Sequence, residues 1–199
     1  MITVIDVETT YQKNKHNGFD PSPFHPDNKL VSVGLESGFG NEYYFTYHSE
    51  KVSEGCFETI QERLDQTTLL VGHNLKFDLM WMLEAGFKYS GKVYDTMLGE
   101  YILNKGIRKS LTLQMCCQRR KIGMKDDRIK YYMDEGITFD KIPADLVEEY
   151  GRNDVVITKK LFDSQMQDFK LPANKDLIKT AKMMGEFLVV LSDMERNGI

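Results

Sequence analysis

The segment "MITVIDVETT" at the N-terminus constrains the chain most, because an apolar, β-rich run delivers two carboxylates, Asp6 and Glu8, with one valine between them. Residues 2–6 predict a short buried strand. If the strand extends to Glu8, alternation turns both acids to one face. Two like charges held together repel, and burying them costs several kcal/mol each unless they are protonated or bound to a cation. A hard divalent ion resolves the conflict. Oxygen-only donors suit Mg²⁺ or Mn²⁺, and no His or Cys stands beside these acids to favour zinc.

The rest of the chain predicts an α/β domain. "YQKNKHNGFDPSPFHPDNK" is polar and carries Gly18, Pro21, Pro23 and Pro26, which reads as a loop. "LVSVGLE" (30–36) and "EYYFTYH" (42–48) flank the Gly-rich "SGFGN" as an antiparallel hairpin. Phe57, Ile60 and Leu64 mark an amphipathic helix, "TLLVGHN" a buried strand, and "LKFDLMWMLEAG" a helix that stops at Gly86. "GKVYDTMLGEYILN" reads as a brief strand entering another helix. Beyond residue 110 the pattern turns helical, in "SLTLQMCCQRR", in "PADLVEEYGRNDVVITKKLFDSQ" and from Ala173 to Asn197, where Leu177, Ala181, Met184, Leu188 and Leu191 share a face. The charged stretch 121–141 has only weak periodicity. The order βββαβαβα implies a mixed sheet flanked by helices.

With 199 residues and 41 % hydrophobic content, the chain can bury one sizeable core, so a single domain is expected. A net charge of −4 argues against nucleic-acid binding through bulk charge. Local groups such as Lys105, Arg108 and Lys109, or Arg119, Arg120 and Lys121, could still guide a phosphate backbone, although each also reads as solvated surface. Cys56, Cys116 and Cys117 form neither a paired framework nor a metal spacing, which fits packed thiols in a reducing compartment. No signal peptide and no apolar run of ~20 residues is present, so a soluble, cytoplasmic protein without a membrane partner is expected.

A lone D-x-E pair carries little weight, since composition alone predicts about one in this chain. A second does occur, Asp193 and Glu195, on the amphipathic C-terminal helix, where it reads as solvated surface. A metal site at Asp6 and Glu8 needs further acids. Asp78 lies in "HNLKFDLMW", four residues after Asn74 on an otherwise apolar helix, and helical spacing puts the two on one face. Asn74 reads equally well as the cap of that helix. His73 reads as a packed strand-end residue. Tyr150 and Asp154 in "EEYGRNDVV" share a face at i, i+4.

The order of "DVETT", "NLKFD" and "YGRND" resembles the three motifs of the DnaQ-like, or DEDD, 3′-5′ exonucleases, in the subgroup with a tyrosine in the third motif. The resemblance spans essentially residues 1–199. "YDTMLGEYILN" followed by "SLTL" is also similar to the proofreading domain of family A DNA polymerases. It implies a ribonuclease H-like fold, with Asp6, Glu8 and Asp154 on one divalent ion and Asp6 with Asp78 on a second. Tyr150 would orient the attacking water. Backbone groups around Thr9 and Thr10, and the Asn74 side chain, would hold the terminal nucleotide. The implied substrate is a single-stranded or frayed DNA 3′ end, cleaved to nucleoside monophosphates. "LVVLSDMERNGI" resembles the exit from such a domain, so the helix at 173–198 is expected to lead into a polymerase domain after Ile199. A start at the initiator Met resembles phage polymerases. Two other readings share these residues: an RNase D-like 3′-5′ exoribonuclease, and a non-catalytic DNA-binding module that retains the fold.

Overall fold

Strand β1 (Ile2–Thr9) lies at the centre of a five-stranded mixed sheet of order β5-β4-β1-β6-β7. The computed structural model describes residues 1–13, 18–123 and 128–198. On one side β1 pairs antiparallel with β4 (Leu30–Ser37), which turns into the edge strand β5 (Gly40–Phe45). On the other it pairs parallel with β6 (Leu69–Gly72), which pairs parallel with β7 (Lys92–Asp95). Parallel neighbours need crossovers, and helices α1 (Cys56–Asp65) and α2 (Leu75–Glu84) supply them. Helices α3 (Thr96–Leu103), α4 (Leu113–Arg120), α5 (Arg128–Asp134), α6 (Ala144–Lys170) and α7 (Leu177–Arg196) follow. No helix among the described residues is long and apolar enough to cross a membrane.

Alternation along β1 assigns its two faces. Ile5 and Val7 pack with residues of α1 and α2, including Ile60, Leu75 and Leu79. Val4 packs on the opposite face against Val155 and Phe162 of α6. Asp6 and Glu8 have the parity of Val4, so the sheet presents them to α6. The ladder register holds through Glu8, opposite Ser32, and shifts only between Glu8 and Thr9.

Helix α6 comes close to the sheet because two glycines remove side chains from the contact. Gly34 on β4, which pairs with Asp6, would with a Cβ stand 3.4 Å from the Gly151 carbonyl. At Gly151 itself a Cβ would fall 2.2 Å from Cε2 of Tyr43. That ring cannot swing aside easily, since it is buried and its hydroxyl shares a 2.7 Å hydrogen bond with Ser32 Oγ.

The structure extends several expectations. The first strand runs to Thr9, so both acids lie on it. The loop after it contains a short ribbon of β2 (Gln12–Lys13) and β3 (Phe19–Asp20), while residues 14–17 lie outside the described set. The second hairpin strand starts at Gly40 and stops at Phe45. Helix α5 lies in the segment of weak periodicity because Ile129 is its only buried residue, and residues 124–127 before it are outside the described set, as is Ile199. On α7 the buried line is Ala181, Gly185, Leu188 and Ser192, with Leu177, Met184 and Leu191 half-buried at its margin. Cys116 and Cys117 are buried thiols without a disulfide, as expected.

Gly151→Ala sets two effects against each other. Helix propensity favours alanine by up to about 1 kcal/mol, and overpacking against a fixed ring costs about 1–3 kcal/mol. Urea unfolding should show a net loss of about 1–2 kcal/mol. Equal or higher stability would mean that Tyr43 yields and does not set the helix–sheet distance.

Candidate active site

Asp6, Glu8 and Asp154 each place a carboxylate oxygen so that the three oxygens lie within 4.8 Å of one another. Strand β1 supplies two of them and α6 the third. Glu8 is 8 % and Asp154 1 % exposed, while Asp6 is half-buried. Tyr150, one turn before Asp154 on α6, is also buried, at 8 % exposure. Its phenol is pushed far above the ordinary range, chiefly by burial and then by the charges of Glu8, Asp154 and Asp6. It therefore stays neutral at any physiological pH.

Asp78 reaches the same strand from α2. The parallel ladder with β6 ends at Val4 opposite Val71, so β1 outruns its neighbour and the Val7 N–H needs another acceptor. Asp78 Oδ1 accepts that hydrogen bond at 3.0 Å. The carboxyl is only 3 % exposed and its pKa is raised well above the usual range, by burial first and by Asp6 second. Asp78 thus adjoins Asp6 without joining the three-oxygen cluster.

Asn74 occupies the N-cap position of α2 in a left-handed conformation (φ 65°), yet its side chain makes no capping bond. The capping reading from sequence therefore fails, and Asp95 ties down the helix start from outside. Its carboxylate accepts from the Asn74, Leu75 and Met97 amides at 3.1, 3.1 and 2.8 Å, joining the N-termini of α2 and α3. Burial still raises its pKa, because it outweighs those bonds. Sequence reading missed Asp95, although the junction "YDTML" carries the Asp-before-helix signal of a cap.

Thr9 and Thr10 are buried at the end of β1. Thr10 N–H donates to the Lys29 carbonyl and its hydroxyl accepts from the Lys29 amide, so it fastens the following loop. His73 is a packing residue, with its ring nitrogens 2.9 Å from Thr96 Oγ1 and 2.7 Å from the Leu111 carbonyl. The two basic groups differ. Arg119 and Arg120 are engaged with the buried Glu100, and Arg120 also with Asp168, locking α3 and α4 to α6. Lys105, Arg108 and Lys109 are exposed on the α3–α4 connection. Asp193 and Glu195 are exposed on α7, in ion pairs with Arg196 and Lys76.

The donor set fits a hard divalent cation: carboxylate oxygens only, converging, and largely removed from water. Without a cation the buried charge should oppose folding, and Asp78 gives the sign. Its folded pKa lies above the unfolded one, so the native state holds a proton that the unfolded state has already released. Stability therefore falls as pH rises through the interval between the two values. Asp78→Asn keeps the acceptor for Val7 and removes the charge. In EDTA its melting temperature should exceed that of the wild type at pH 8, with the gap closing toward pH 4. A gap independent of pH would contradict the buried-charge assignment.

Residues 23–168 match the family described as 3′-5′ exonuclease. DNA polymerase I of Aquifex aeolicus is 27 % identical over 155 residues, 76 % of this chain and 24 % of that protein. DNA polymerase I of Borreliella burgdorferi is 21 % identical over 205 residues, all of this chain and 22 % of its own length. The chain thus spans less than a quarter of either relative. Among solved structures, Brucella melitensis NrnC bound to pGG superposes with a TM-score of 0.72 at 16 % identity, covering 99 % of this chain and 85 % of that one. The same protein with bound Mg²⁺ gives 0.70 at 17 % identity, covering 99 % and 86 %. The family match begins after Asp6 and Glu8, so those two acids join the site by geometry. With most of its length inside the family match, the chain belongs to the 3′-5′ exonuclease family.

Proposed function

We propose that this chain is a metal-dependent 3′-5′ exonuclease domain that hydrolyses the last phosphodiester of a DNA 3′ end and releases a nucleoside monophosphate. The observation that carries this reading is the convergence of Asp6, Glu8 and Asp154 within 4.8 Å, from two elements, in a largely buried setting. These three would hold one Mg²⁺ or Mn²⁺, and Asp78 with Asp6 would hold a second. Two such cations activate an attacking water and stabilise charge on the phosphorus and the leaving 3′ oxygen. Tyr150 orients that water through its hydroxyl, because a neutral phenol of strongly raised pKa is a poor base but a sound hydrogen-bond partner. Asn74, and the chain around Thr9 and Thr10, hold the terminal nucleotide.

The likeness to DNA polymerase I supports DNA as substrate and a proofreading role beside a polymerase domain in the same polypeptide. This chain covers only 24 % and 22 % of those relatives. The structural likeness to NrnC, solved with pGG, supports a second reading, cleavage of short or ribose-containing strands.

The test is incubation of matched 5′-labelled DNA and RNA oligonucleotides with Mg²⁺ or with EDTA. A ladder that shortens from the 3′ end of DNA only with metal is expected. Faster trimming of RNA would favour the second reading, and no metal-dependent trimming of either would overturn the reaction. Asp6→Ala should abolish cleavage, while Asp193→Ala, the same D-x-E pattern on an exposed helix, should stay within about twofold. Tyr150→Phe should lower the single-turnover rate by about 10- to 1,000-fold, as for a positioning group. Full activity in that variant would remove the tyrosine from the mechanism.

A further inference from the structure

Helix α6 is held over the sheet by two opposed devices on one strand, β5. Arg152 draws it down. Its guanidinium donates to the Asn41 carbonyl at 2.6 Å and to Asn41 Oδ1 at 2.9 Å, and Asn41 Nδ2 donates back to the Arg152 carbonyl at 3.2 Å. Tyr43, two residues further along β5 and on the same face, holds the helix off. Its ring occupies the space that Gly34 and Gly151 leave open: a Cβ on Gly34 would stand 3.3 Å from its Cδ2, and one on Gly151 2.2 Å from its Cε2. The ring is buried and its hydroxyl is tied to Ser32, so it acts as a fixed stop.

The stop stands in the same rows of the sheet as the acids. Asp6 pairs with Gly34, and Gly34 with Tyr43. Glu8 pairs with Ser32, whose hydroxyl bonds that of Tyr43. On the helix, Gly151 lies between Tyr150 and Arg152, three residues before Asp154. Because a packed interior yields little, the thickness of one aromatic ring sets how closely Asp154 approaches Asp6 and Glu8.

From this arrangement we infer that Tyr43, seated between Gly34 and Gly151, is a positioning residue that selects the cation by size. The inference rests on the metal-dependent reading proposed above. Mg²⁺ takes oxygen ligands at about 2.0–2.1 Å in a near-ideal octahedron, and Ca²⁺ at about 2.3–2.6 Å in looser geometry. Carboxylates carried by two separate elements therefore discriminate between the two ions through the gap between those elements. A Cβ that lifts α6 by a few tenths of an ångström acts on the scale of that difference.

The experiment reads binding and not cleavage. Mn²⁺ is loaded onto the metal-free chain, followed by its paramagnetic resonance, and displaced with Mg²⁺ or Ca²⁺ to give a Kd for each. In Gly34→Ala and Gly151→Ala the Kd for Mg²⁺ should rise about tenfold relative to that for Ca²⁺, compared with wild type. Adding Tyr43→Leu to Gly151→Ala removes the ring that the new Cβ meets, and should return the ratio to within about twofold of wild type. Gly185→Ala is the control: its Cβ would fall 2.6 Å from the Val93 carbonyl, where α7 meets β7, so it should lose stability in urea yet leave the ratio unchanged. Gly34→Ala, the gentler change, decides the matter if Gly151→Ala does not fold. A wild-type ratio in Gly34→Ala, an equal shift in Gly185→Ala, or a shift that persists in the double variant would overturn the inference and leave the exonuclease reading intact. No saturable Mn²⁺ binding by the wild type would overturn both.

Discussion

Mutual repulsion among carboxylates brought together at the end of β1 is the constraint on which the rest of the structure depends. Left in water, Asp6, Glu8, Asp78 and Asp154 would separate. The fold denies them that freedom by fixing them on three elements of one frame. β1 holds Asp6 and Glu8 on one face, α6 lowers Asp154 onto that face, and α2 sets Asp78 against the Val7 amide beyond the end of β6. Each placement depends on a local packing or hydrogen-bonding device. Gly34 and Gly151 let α6 approach, the Ser32–Tyr43 hydrogen bond steadies the ring beneath it, and Asp95 secures the N-terminus of α2. Apolar packing on both faces of β1 supplies the free energy that opposes the repulsion.

The two D-x-E pairs separate pattern from context. On β1, residues i and i+2 face the same way, and the facing helix encloses them. On α7 the same spacing turns side chains about 200° apart, and both acids find cations at the surface. In the proposed reaction, enclosure of like charges would raise their affinity for a divalent cation, and the same enclosure keeps the Tyr150 phenol protonated.

Much of this was legible in the sequence because hydrophobic periodicity and motif order act locally. The nine principal strands and helices up to α4, leaving aside the short β2–β3 ribbon, and the face shared by Tyr150 and Asp154 follow from spacing. What was not legible depends on partners distant along the chain. The extension of β1 to Thr9 is set by pairing with β4, not by propensity. Asn74 makes no side-chain cap, and the helix start is held instead by Asp95, 21 residues away, whose carboxylate accepts from the Asn74 and Leu75 amides. Arg119 and Arg120 read as free surface charge until α3 and α6 close around Glu100. The loop of residues 11–29 reads as plain polar punctuation, and its hold on Trp81 appears only in three dimensions.

The measurement that bears most directly on this account is titration of the metal-free chain with Mn²⁺ at pH 7.5, followed by the loss of free-ion paramagnetic resonance signal, with Glu8→Gln in parallel. Saturable binding that Mg²⁺ displaces and that weakens at least tenfold in Glu8→Gln, with both proteins folded by circular dichroism, is predicted. Equal binding by the two proteins, or none by the wild type, would contradict the claim that the fold assembles these carboxylates around a divalent cation.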